Sequence, residues 1–377
     1  MTGTDSRAEN RKRALSGLDR LVSDALMIRR LATRQVGLLT NHACTTVDQV
    51  PATLAIQQSL ATHGGSILRL FTPEHGMRLS AGAGEAVSNS EDPLTGLRVH
   101  SLYEGAENNA GAVLEGLDAL IIDLRDVGVR CYTYAATAAR FANAALERHI
   151  EVIVCDRANP LGPMTEGPRP EPEHKSLLAY FDVPFVHGRT IGELIALAVA
   201  PMITQAPFAV YPADVSLQPP LGWIPPSPAL SHPDAVAAYA GLVLLEATNV
   251  SEGRGTSVSF RAAAAPGLDA DALARAVNDW TTGFGAAAGE VFFTRPPAVG
   301  QPVPGITVWP KRAPHHEPFA FGVHLLAWLM ENYADFAWLP AGGSKSDKAI
   351  DVLFGRSDLR TQLEAGKSAD AILRGWR

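Results

Sequence analysis

Residues 118–155 read DALIIDLRDVGVRCYTYAATAARFANAALERHIEVIVC. The stretch opens on an apolar run at 118–124 and closes on another at 150–155. Between them, residues 132–149 are rich in Ala, with apolar positions at helical spacing. A short β-branched run without alternation reads as a strand buried on both faces of a parallel sheet. Two such strands joined through a helix form a right-handed βαβ unit. The reading is therefore α/β, built on a parallel sheet.

The same pattern recurs outward from this unit. VGLLT (36–40) gives way to Asn41 and His42, and ILRLF (67–71) to Thr72, Pro73, Glu74, His75 and Gly76. ALIIDL (119–124) runs into Arg125, Asp126, Gly128 and Arg130, and VIVC (152–155) into Asp156, Arg157, Asn159 and Pro160. In a parallel sheet the strands' C-terminal ends share one edge, and ligands bind in the crevice there. Polar residues distant in sequence are thus expected to meet in one pocket.

The rest of the chain fits around that frame. Apolar residues at helical spacing over 15–33 predict an opening helix that covers the sheet. Residues 49–63 predict a crossover helix with Pro51 in its first turn. The Gly-rich segment 78–96 predicts a long surface loop, and LRVHSLY (97–103) a short strand. HGRTIGELIALAVA (187–200) predicts a helix with a capping box from Thr190 to Glu193. The Pro-rich spacer 206–228 suggests a domain boundary, dividing the chain into 1–210 and 211–377. The second part mixes helices (about 233–247, 268–282, 317–333) with strands TSVSF, GEVFFT and GITVWP. It reads as a smaller α/β or α+β domain.

Bulk properties narrow the function. A chain of 377 residues exceeds one ordinary core. Its net charge of −7 disfavours a nucleic-acid partner. The basic run RAENRKR (7–13) reads as a solvated terminus. No apolar stretch is long enough for a membrane span, and no apolar region follows the N-terminal charges as in a secretory signal. Cys44, Cys131 and Cys155 form neither a disulfide framework nor a zinc knuckle, so a cytoplasmic location is expected. The HHE at 315–317 lacks a third ligand at metal-site spacing. No dinucleotide fingerprint, P-loop, HExxH or GxSxG occurs. No metal or cofactor is expected.

Glu74 follows a buried strand in FTPEHG, between a residue of fixed φ and a turn-forming Gly, which suits general acid or base work. Asp126 and Glu166 are further candidate carboxylates; the competing reading is an ion pair or a helix cap for Glu74, an Asp–Arg pair for Asp126 and a plain loop glutamate for Glu166. Arg130, Tyr132 and Tyr134 suit a substrate carboxylate and a sugar face. Asp156, Arg157 and Asn159 line the next strand end. Asn249, Glu252 and Arg254, in EATNVSEGRGTS, form an apposed wall with Ser251 and Thr256. Cys155 reads as a buried small hydrophobe and not as a nucleophile.

LTNHA, FTPEHG, GEAVSNSEDPLTGLRVHSLY, LIIDLRDVGVRCYTY, DRANPLGPMTEGP, HGRTIGEL, PPSPAL and EATNVSEGRGTS together resemble the NamZ-type exo-β-N-acetylmuramidases, glycoside hydrolase family 171. The resemblance runs from about residue 34 to the C-terminus. It implies a Rossmann-like N-terminal domain, a smaller C-terminal domain and a site in the cleft between them. It implies release of terminal N-acetylmuramic acid from the non-reducing ends of peptidoglycan fragments, with an oligosaccharide substrate and no cofactor. The family's glutamate falls on Glu74, and Glu166 and Asp126 match further family positions as catalytic candidates. Asn41, His42, His75, Arg130, Tyr132, Tyr134, Asp156, Arg157, Asn159, Asn249, Glu252 and Arg254 are the binding candidates. Met77, Arg125, Ala158 and Ala247 depart from the usual residues, which bears on specificity. A substrate-assisted route, a hydrolase of another class and a non-catalytic sugar-acid binder stay open at this point.

Overall fold

A computed structural model describes residues 14–82, 85, 88–102, 110–214, 223–293, 301–311, 316–342 and 348–376. The run RAENRKR, Tyr103, the spacer's 215–222, Thr294 and His315 lie outside the described residues, as do positions 83, 84, 86 and 87 of the Gly-rich loop.

The first half is a parallel sheet wrapped by helices. Its strands are β1 (Val36–Leu39), β2 (Ile67–Thr72), β3 (Ser90–Glu91), β4 (Arg98–Ser101), β5 (Ala119–Ile122), β6 (Glu151–Cys155) and, after the short β7 (Thr165–Glu166) and β8 (Val186–His187), β9 (Phe208–Tyr211). The spatial order is β3-β4-β2-β1-β5-β6-β9. Every neighbouring pair is parallel except β3 with β4. Without the antiparallel edge this is the doubly wound order, in which chain direction along the sheet reverses between β1 and β5. The crevice outside that reversal is the site such sheets offer to a ligand.

Both sheet faces are covered, which is why the strands carry unbroken apolar runs. Val36, Leu38, Leu70, Ile121 and Ile153 pack under α1 (Gly17–Ser23), α2 (Ala25–Leu31) and α3 (Ala52–Ala61). The alternate residues Leu39, Phe71, Leu120, Ile122, Val152 and Val154 face the other way. There they meet α4 (Ala110–Leu114), α5 (Thr133–Leu146) and α6 (Ile191–Val199). The expected opening helix is two helices. Asp24 breaks the run, because its side chain accepts from Met27 N and starts α2. Pro51 is the N-cap of α3, and the Thr190–Glu193 capping box of α6 is formed.

The second half holds α7 (Pro233–Leu242), a 3-10 turn at Val243–Ala247, β10 (Ala262–Ala264), α8 (Ala270–Asp279), β11 (Phe284–Phe292) and β12 (Pro302–Pro310). It ends with α9 (Pro318–Asn332), α10 (Ala349–Phe354), α11 (Asp358–Glu364) and α12 (Ala369–Arg374). β10, β12 and β11 form an antiparallel sheet. TSVSF is a chain of turns, not a strand. Gly253 and Gly255 take left-handed φ of 86° and 83°, and Phe260 N returns to Glu252 O, folding the segment back on itself. One apolar cluster runs from β5 and α5 through α7 to α9 and α10, so the two halves share a core. Among the described residues, no helix is long and apolar enough to cross a membrane.

Candidate active site

Glu74 leaves the end of β2 in a strained turn. His75 has a φ of 71° and Gly76 of 80°. A left-handed φ is routine for Gly and costly for His, so surrounding contacts must hold it. His75 Nδ1 lies 3.0 Å from Ala81 O, and Leu102 N bonds Thr72 O at the base of the turn. The first turn of α5 reaches the same place. Thr133 Oγ1 donates to Glu74 Oε2 at 2.8 Å. The Tyr134 hydroxyl lies 2.8 Å from Pro226 O and 3.1 Å from Glu74 O. The loops after β2 and β5 therefore converge, as the sheet topology requires.

A second wall comes from the other half. Glu246, in the 3-10 turn after α7, is bonded to Arg254 NH2. Arg254 Nε also bonds Glu252 Oε1 at 3.0 Å, and its guanidinium lies 5.1 Å from the Phe260 ring centre. Phe260 holds a φ of 51°, a second strained residue at this wall. Burial pushes the Glu246 carboxyl up to about 7; the Glu252 and Glu74 charges act in the same direction, and Arg254 opposes them. Burial likewise lowers the His75 imidazole, against the attraction of Glu74. Tyr134, Tyr132, Tyr239 and Phe260 run as a chain of ring contacts at 4.6, 6.1 and 4.8 Å from the Glu74 side to the Arg254 side. Tyr134 is fully buried, so it supports Glu74 from below.

Other candidates do structural work. Arg130 donates to Pro168 O at 3.0 Å and Val183 O at 2.8 Å, and also to Phe354 O in α10. Its terminal donors are taken up by backbone at the seam between the halves. Glu166 Oε2 accepts from Phe319 N (2.9 Å) and Ala320 N (3.2 Å), capping α9. Arg157 pairs both carboxylate oxygens of buried Asp123, at 2.6 and 2.8 Å. Asp156 caps α6 through Gly192 N and Thr190 Oγ1. Asn159 bonds Leu161 N and Arg189 O, and a Cβ at Gly128 (φ 84°) would stand 2.5 Å from its Oδ1. Asn249 bonds Asp335 O and Ala337 N. Asp126 Oδ2 takes Gly128 N and lies 3.0 Å from His187 Nε2. The structure thus gathers Glu74, His75, Tyr132, Tyr134, Glu252 and Arg254, and gives Arg130, Arg157, Asp156, Asn159, Asn249 and Glu166 to the frame.

Glu246, Tyr239 and Thr133 join this cluster without having been singled out in sequence. Glu246 reads there as a helix-end glutamate, and only the turn that returns Arg254 to it exposes its place. Among the described residues no three His, Cys, Asp or Glu side chains are grouped to hold a metal. Cys155 is fully buried and burial holds its thiol well above the usual range, so it is no nucleophile here.

Models for the N-terminal and C-terminal parts of exo-beta-N-acetylmuramidase NamZ match residues 36–234 and 237–377. This chain belongs to the NamZ family. A Bacillus subtilis relative, peptidoglycan beta-N-acetylmuramidase NamZ, is 30% identical over 376 residues, covering 96% of this chain and 87% of the relative. Two DUF1343 family proteins of Bacteroides fragilis have the same fold. One superposes with a TM-score of 0.82 over 97% of this chain and 95% of its own. The other has a TM-score of 0.70 over 97% and 94%. Both are 24% identical to this chain.

Proposed function

We propose that this NamZ-family chain is an exo-acting β-N-acetylmuramidase that releases terminal N-acetylmuramic acid from the non-reducing ends of peptidoglycan fragments. The observation that carries the reading is the convergence of Glu74, held rigid by Thr133 and a strained turn, with the Glu246–Arg254–Glu252 wall. Glycoside hydrolysis needs a carboxyl group to protonate the leaving oxygen and a second group to support the cationic sugar ring. Glu74 is the acid–base group in this proposal. Glu246 is the second carboxyl, and with its value raised to about 7 it gains the carboxylate form that supports the ring as pH climbs through neutrality. The substrate's own acetamido oxygen is the alternative second group, and Arg254's hold on Glu246 leaves that route open. The three buried, unpaired thiols suit a reducing compartment, and a cytoplasmic location is part of the proposal, to be checked by cell fractionation.

The test is Glu74→Gln on an aryl N-acetyl-β-muramide. Loss of a positioned acid–base group is expected to lower kcat by about 10³-fold or more, with the thermal midpoint unchanged. A folded Glu74→Gln protein that keeps its turnover refutes the assignment. Binding of N-acetylmuramic acid by the native protein without turnover of any muramide would point to a sugar-acid binder.

A further inference from the structure

N-Acetylmuramic acid differs from N-acetylglucosamine by a lactyl ether that carries a carboxylate, so a muramidase needs a cation aimed into its cleft. Three of the arginines at these strand ends and walls are already engaged. Arg130 is held by three backbone carbonyls, Arg157 by Asp123, and Arg254 by two glutamates. Arg125 is different. It leaves β5 at the reversal of strand order, and among the described residues it makes no hydrogen bond and no ion pair. Its Nε is buried without a partner. The acid in its field, Asp123, has both oxygens occupied by Arg157.

The opposite lip of the crevice carries matching vacancies. β1 and β5 pair in parallel, with Leu39 beside Ile122, and Asp123 N still bonds Leu39 O. Beyond that last bond the two loops part. Asn41 Nδ2 and His42 Nδ1 on the β1 side are buried without a well-formed hydrogen bond, as are Arg125 Nε and Asp126 Oδ1 on the β5 side. Two polar atoms from each strand flanking the switch point are thus left short of hydrogen bonds, which costs free energy. A half-buried cation without a paired counter-charge adds to that cost. Such a set is repaid by a ligand that brings an anion and hydroxyl groups.

We infer that Arg125 is the residue that receives the substrate's carboxylate, with Asn41 and His42 as polar neighbours in the same subsite. The inference rests on the muramidase reading and adds to it the group that separates muramic acid from its neutral parent sugar. Burial and the neighbouring Arg157 charge hold the guanidinium down at about 10, which still leaves it charged at neutral pH. An incoming carboxylate relieves both penalties.

The experiment compares native protein, Arg125→Met and Arg125→Lys. Kinetics are read on an aryl N-acetyl-β-muramide, and binding of N-acetylmuramic acid and N-acetylglucosamine is read by calorimetry. Arg125→Met is expected to lower kcat/KM on the muramide about 100-fold, mostly through KM, because a charge-assisted pair is lost. Affinity for N-acetylmuramic acid should fall by a similar factor, while that for N-acetylglucosamine stays at its native level. Arg125→Lys should recover part of the loss. The thermal midpoint of Arg125→Met should hold or rise, since an unpaired, half-buried charge is removed. Equal losses on both sugars, an unchanged KM, or a marked fall in thermal midpoint would each overturn the assignment. Native protein that turns over no muramide overturns the muramidase reading itself, a result distinct from active native protein with an indifferent Arg125→Met.

Discussion

Arg125 and Arg130 leave the same strand five residues apart, yet they meet opposite fates. Arg130 crosses the seam between the halves and gives its terminal donors to carbonyls on the segments at Pro168 and Val183 and on α10. Arg125 makes no hydrogen bond and no ion pair among the described residues. The difference separates two kinds of buried polarity. At the seam, the terminal nitrogens of Arg130 are matched to carbonyls, as folding demands, and only its Nε is left without a partner. In the crevice donors and acceptors are left over, as binding demands. Charge alone does not tell the two apart, because both side chains are desolvated arginines at one edge of one sheet.

The strongest way to break this comparison is at the seam. Arg130→Met leaves the carbonyls of Pro168, Val183 and Phe354 without their donor in a buried site. The expected loss is about 3 kcal/mol or more, read from urea unfolding. Below the denaturation range KM should stay near the native value. A stable Arg130→Met protein with a raised KM would mean that Arg130 belongs to the crevice after all, as its sequence position suggests.

The frame was the more legible part of the chain. Uninterrupted apolar runs such as VGLLT and ALIIDL have one consistent meaning, a strand covered on both faces, and both faces are in fact covered. Chemistry-bearing residues are ambiguous because the same side chain serves either purpose. Asp156 and Glu166 looked like crevice carboxylates and are helix caps. Nothing local to DRANP or TEGP reveals that α6 and α9 begin within reach of them. Glu246 was overlooked for the converse reason. Its meaning comes from Arg254, eight residues on, which the left-handed Gly253 and Gly255 turn back toward it. The orphaned atoms around Arg125 have no sequence signature at all, since an unmade bond appears only when every neighbour has been placed.

A second test sharpens the comparison inside the cleft. Glu246 is bonded to Arg254, yet burial and two neighbouring glutamates keep its carboxyl protonated up to about 7. If its carboxylate form supports the sugar ring, kcat/KM rises as pH climbs through about 7. Glu246→Gln then lowers the rate at pH 8 by about 10-fold or more and flattens the acid limb. A pH profile that Glu246→Gln leaves intact would place the second role on the substrate's acetamido group.

The smallest effect belongs to the seam's own carboxylate. Glu166 caps α9, and burial raises its carboxyl from 4.5 to about 7 against the two backbone N–H groups that bond it. A raised folded-state value means that the folded protein holds the proton more tightly than the unfolded chain. The stabilisation is therefore complete below about pH 4.5 and is lost as pH climbs through 7. Glu166→Gln keeps an oxygen for Phe319 N and Ala320 N and removes the titration. It should match the native protein near pH 5 and exceed it by about 1–2 kcal/mol at pH 8 in parallel urea titrations. Its kinetics at neutral pH should be native, because a cap holds the fold and touches no substrate. A catalytic Glu166 would show the reverse: stability indifferent to the change and turnover lost at every pH.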